Sequence, residues 1–107
     1  MAVIDVAGEV IVLRRHDGGM PMTSRIAVAK ARTALLALKP SGLIDLPDEI
    51  VDSIQHLYDG NFVPRAGGAL ITDGELILGA AGASGALAVE DEEAVQNAVH
   101  RWQRQVH

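Results

Sequence analysis

The sequence contains no cysteine. That absence excludes a disulfide framework, a thiolate metal site and a cysteine nucleophile, and it suits a reducing cytoplasm. Basic side chains are few: nine Lys and Arg stand against fourteen Asp and Glu, for a formal net charge of -5. They are scattered, so no patch offers electrostatic capture of nucleic acid. Long apolar runs are missing too. Charge or glycine interrupts each one before the roughly 20 residues that a membrane helix requires, and the first residues lack the basic start and apolar stretch of a signal peptide. Neither an internal repeat nor a low-complexity linker divides the chain. A length of 107 residues can bury one core but not two. The expectation is therefore a single domain over residues 1–107, cytoplasmic, with no nucleic-acid or membrane partner.

What is present is an alternation of local patterns. "AVIDV" and "EVIVLRR" are short β-branched runs joined across Ala7-Gly8, a hairpin signal. "MTSRIAVAKARTALLAL" predicts a helix, with Thr23 or Ser24 as its cap and Lys39-Pro40 as its stop. At about 100° per residue, Ala27, Ala31, Ala34 and Leu38 share one face, and such small side chains let a helix backbone lie close to a sheet. Arg25, Arg32 and Lys39 fall on the opposite face, while Lys30 flanks the apolar one. There its stem is expected to cover the core edge while its ammonium reaches water. "LPDEIVDSIQHLYDG" predicts a short helix with Ile50, Ile54 and Leu57 at helical spacing. "NFVPRAGGALI" and "ELILGAAGA" predict strands around an Asp73-Gly74 turn, with a bend or bulge at Gly67-Gly68. "VEDEEAVQNAVHRWQRQV" predicts a closing helix, acidic at its start and basic near its end, with Val95, Ala98, Val99, Trp102 and Val106 as its stripe.

The glycines of "GAAGASG" could suggest a phosphate cradle, but Gly79, Gly82 and Gly85 recur at a strict three-residue interval. That spacing fits neither the P-loop nor the dinucleotide fingerprint, and the strand before it belongs to a hairpin rather than to a βαβ unit. Glycine within a strand instead marks a place where a helix, a partner chain or a flat ligand presses on the backbone.

Three blocks then carry a resemblance. "VIDVAGEVIVLRRHDGG", "SRIAVAKARTALLALKPS" and "GGALITDGELILGAAGASGALAVEDEEAV" follow one another over most of residues 3 to 95. They resemble, in order, the characteristic segments of the GlcG/HbpS-like haem-binding family, which is related to the C-terminal domain of PduO-type cobalamin adenosyltransferases. The resemblance implies an α+β fold, an antiparallel sheet of about five strands with helices packed against it. It also implies a homo-oligomer that binds haem or another flat cofactor. The hairpin's second strand should run into a glycine and serine loop before the last helix. There Gly82, Ser84 and Gly85 would offer polar groups to a ligand. Members usually begin with an amphipathic helix, whereas here the first strand starts at Ala2, so one sheet face is expected to be less covered. Leu70 replaces a proline of the family pattern. His16 stands where methionine often precedes the aspartate, and imidazole can ligate haem iron.

Of the four histidines, His16 beside Asp17 and Gly18-Gly19 is the candidate metal ligand, against a solvent-exposed turn as the alternative. His100 and His107 suit the basic end of a helix in any case, and His56 lies in a weakly patterned one. Asp5 and Asp17 are residues that order tight turns, with Asp17 also a ligand-binding candidate. Lys30 and Arg15 are the cations for haem propionates. No nucleophile and base stand at a recognisable spacing, so catalytic residues are not assigned. The alternative to a binding protein is an enzyme or enzyme subunit acting on a small metabolite, its site formed between subunits. A purely structural assembly role is the third possibility.

Overall fold

The computed structural model describes residues 1–15 and 20–84, with residues 97, 100 and 101 near the C-terminus. Four strands, β1 (Ala2–Asp5), β2 (Val10–Leu13), β3 (Gly68–Asp73) and β4 (Leu76–Gly82), form one antiparallel sheet in the order β2-β1-β4-β3. Two helices, α1 (Met22–Ala37) and α2 (Asp48–Leu57), lie between β2 and β3 in the chain. The sheet thus has four strands among the described residues rather than about five. "NFVPRAGGALI" becomes a strand only from Gly68. Pro64 lacks an N–H for a ladder, and Phe62 instead turns inward to 4% exposure.

Both hairpins form. Across the first, Asp5 accepts from the backbone N–H of Ala7 and Glu9 at 2.9 and 3.0 Å, the local bonding expected of it. Across the second, Asp73 faces Leu76, leaving Gly74-Glu75 as the loop. Gly74 has φ +61, which a two-residue hairpin of this kind requires at its first position. The irregularities in pairing fall at Val3/Ile4 and Ile71/Thr72 instead of at Gly67-Gly68.

Helix α1 covers one sheet face. Ala31 and Ala34 pack with Ile4 and Ala80, and Ala27 and Val28 with Ala2. The opposite face carries a second cluster, Ala69, Ala81 and Ala83, with Val3 and Ile71 beside it. The start of α1 differs from expectation: Pro21 is the cap residue, and Thr23 lies inside the first turn, its hydroxyl donating to the Met20 carbonyl at 2.7 Å. At the other end Leu38 adopts a left-handed conformation (φ 56) and is 62% exposed, so it leaves the apolar face that its spacing assigned it. Asn97, His100 and Arg101 have helical backbone and are exposed. The predicted stripe of the last helix (Val95, Ala98, Val99, Trp102 and Val106) lies outside the described residues. No helix among the described residues is long and apolar enough to cross a membrane.

Candidate functional site

Register brings the described candidates Arg15, Gly82 and Ser84 to one end of the sheet. Leu13 pairs with Ala2, Ala2 with Gly82, and Gly82 with Gly68, so one row crosses all four strands. Just beyond that row, Arg14 and Arg15 leave β2, Ala83 and Ser84 leave β4, and Gly67 leads into β3. Arg15 is exposed and Ser84 half-buried. Their strands are separated by β1 alone, which sets the two exits roughly 10 Å apart. His16, Asp17 and Gly85 lie outside the described residues.

Gly82 is where α1 comes closest. A side chain there would meet the Ala27 carbonyl, and the Ala31 nitrogen at 2.9 Å. Its missing Cβ is therefore taken up by the helix, one of the three explanations open for a strand glycine. At Gly79 the obstructing group is the Ile4 carbonyl of the neighbouring strand.

Lys30 corrects the expectation of an ammonium reaching water. It is 5% exposed, and Nζ donates to the Ala83 carbonyl at 3.2 Å. Desolvating an ammonium is costly, and bonding to polar groups offsets that cost; here the contact also ties the exit of β4 to α1. A second polar anchor is Ser41, which no motif marks. Its hydroxyl donates to the Arg65 carbonyl at 2.5 Å and accepts from the Gly68 N–H at 2.8 Å, fixing the entry to β3. Its one signal in the sequence is position, a small hydroxyl residue just after the proline that ends the helix. Arg32, expected on the solvent face, is half-buried. Its Nε and Nη2 donate to the Gly8 carbonyl at 3.1 and 3.0 Å and Nη1 to Asn61 Oδ1 at 3.0 Å.

Two grooves lie away from this end. One of about 740 Å³ runs beside Gly8, Arg32, Leu35 and Tyr58. The other, about 420 Å³, separates the end of α1 from α2 and is lined by Leu36, Ile44, Leu57 and Phe62 among others. His56 is exposed on α2. Among the described residues, no three His, Cys, Asp or Glu side chains cluster as a metal site. The donors available at the sheet end are instead two exposed guanidiniums, Arg14 and Arg15, and the half-buried Ser84 hydroxyl, with His16 next to Arg15 in the sequence. That set is chemically suited to a ligand carrying carboxylates and a metal that accepts imidazole.

Solved structures share this architecture. A PduOC–haem complex superposes with a TM-score of 0.80 at 21% identity, covering 92% of this chain and 74% of that one. Protein ORFY of Klebsiella pneumoniae gives 0.79 at 21% identity, with 92% and 70% covered. A double mutant of Streptomyces reticuli HbpS gives 0.76 at 25% identity, with 94% and 68% covered. No curated protein is a significant match. The family model described as haem degrading protein HbpS-like matches residues 1–100, nearly the whole chain, and the protein belongs to that HbpS-like family.

Proposed function

We propose that the chain is a single domain over residues 1–107 that binds haem, or a closely related flat cofactor, and acts as a cytoplasmic homo-oligomer. Membership of the HbpS-like family over residues 1–100 is the observation that carries this reading. The fold it shares with a PduOC–haem complex supports it, and so does the donor chemistry at the sheet end. In this proposal His16 is the axial ligand and Arg15 pairs with a propionate, since a guanidinium fork matches a carboxylate. Asp17, Ser84 and Gly85 are the further ligand-binding candidates in this proposal. Gly82 contributes by admitting α1, and Lys30 contributes by holding the Ala83 carbonyl, so both position the exit of β4. Bound haem would supply an iron centre open to imidazole and to a further small ligand.

Absorbance titration with haemin tests the proposal, run on the unchanged chain beside His16→Ala and Arg15→Ala. The expected result is a saturable one-to-one spectrum, lost or strongly altered in His16→Ala and weakened in Arg15→Ala. A weak, unsaturating change identical in all three proteins overturns it.

A further inference from the structure

Among the described residues, the second strand is an open edge of the sheet. Val10, Ile11, Val12 and Leu13 are all exposed, reaching 62% at Ile11. Exposed Met1 and Val6 border it. On its inner side Met1 and Arg14 exchange both backbone hydrogen bonds, from Met1 N to Arg14 O at 2.6 Å and from Arg14 N to Met1 O at 2.8 Å. Antiparallel ladders alternate bonded and non-bonded pairs. The next pair, Ala2 with Leu13, is therefore the non-bonded kind, and the Leu13 N–H and C=O point along the open edge. Apolar side chains combined with outward backbone groups make a template for a further strand.

Charge says which strand fits. Exposed Glu9 precedes the apolar run, and exposed Arg14 and Arg15 follow it. A second copy laid antiparallel about a two-fold axis between Ile11 and Val12 sets Glu9 of each chain opposite Arg14 of the other. The same register sets Val10 against Leu13, and both face the open edge because Ile11 is an extra residue in the ladder: Val3 pairs with Val12 and Ile4 with Val10, and Glu9 O accepts from Asp5 N on the inner side. A parallel copy in register would instead place Glu9 on Glu9 and Arg14 on Arg14, and like charges directly opposite one another repel. A two-fold contact through one self-complementary patch is also the commonest way for identical chains to associate.

We propose that β2 is an interface strand through which a second copy of this chain adds antiparallel, joining two four-stranded sheets across a two-fold axis. This rests on the homo-oligomer reading above and adds the surface, the partner and the register. Arg14 serves the interface, and Arg15 remains for the cofactor.

Light scattering on the full chain at tens of micromolar tests it, with Glu9→Arg, Arg14→Glu, the two combined in one chain, and Leu13→Pro. Proline at Leu13 removes only an N–H that faces the open edge, so circular dichroism should keep its native shape. The unchanged chain is expected to have a mass of at least two chains. Each single reversal and Leu13→Pro should weaken association at least tenfold, and the combined reversal should restore it. If the single reversals and Leu13→Pro keep the parental mass, this interface is refuted while oligomerisation through another surface stands. If the combined reversal fails to restore association, the antiparallel register is refuted. A monomeric unchanged chain overturns both the interface and the homo-oligomer reading, and the haemin titration then stands or fails by itself.

Discussion

The two helices meet opposite fates, and the contrast shows what burial requires. Helix α2 has the clearer pattern, with apolar residues at helical spacing and acids at its start, yet none of its residues is buried. Helix α1 carries five alanines and three cationic side chains, and eight of its sixteen residues are buried. The difference is approach distance. Alanine on α1 meets alanine and glycine on β1 and β4, so backbone comes close to backbone and the sheet excludes water. On α2 the large side chains Ile54 and Leu57 line an open groove, and Gln55 Nε2 donates to the Phe62 carbonyl at 3.1 Å. Pattern alone does not bury a helix; a surface shaped to receive it does.

The contrast is broken most severely at Gly82. Gly82→Val drives a branched side chain into the α1 backbone, and a loss of about 3 kcal/mol or an unfolded chain is expected. Thermal melting followed by circular dichroism reads it, as a fall of the midpoint on the order of 10 °C or more. A midpoint equal to the parent's contradicts the close approach.

A smaller effect is expected at Ser41, whose hydroxyl serves two backbone groups at the entry to β3. Ser41→Ala leaves the Gly68 N–H and the Arg65 carbonyl without it and should cost about 2 kcal/mol. Urea unfolding should show a lower midpoint at an unchanged slope. The smallest effect belongs to α2. Leu57 is 74% exposed, so Leu57→Ala should change stability by no more than about 0.5 kcal/mol. A loss several times larger would mean that α2 is held far more firmly than its exposure indicates.

The elements that local chemistry controls are legible in the sequence. Both hairpins follow from β-branched runs interrupted by Gly8 and by Asp73-Gly74. The body of α1 follows from its alanines and its stop at Lys39-Pro40. The family blocks are legible for the same reason, since glycine, aspartate and lysine at set spacings leave a trace in sequence. Local pattern points the wrong way at the helix cap of Thr23, the strand through "NFVPRA" and the solvent-facing ammonium of Lys30. Two of these depend on what lies opposite in space, the inward turn of Phe62 for the strand and the Ala83 carbonyl for Lys30; the Thr23 hydroxyl instead turns back to the Met20 carbonyl three residues earlier.

The sequence by itself determined the local turns, the principal helix, the family and the pool of candidate donors, because these depend on the identity and spacing of neighbouring residues. Only the tertiary structure decided that Leu13, Ala2, Gly82 and Gly68 share a row, that Gly82 admits α1, and that β2 is an edge among the described strands. Those outcomes depend on register and strand order between segments far apart in the chain. A one-residue slip in register would exchange the faces of a strand without changing a single local preference.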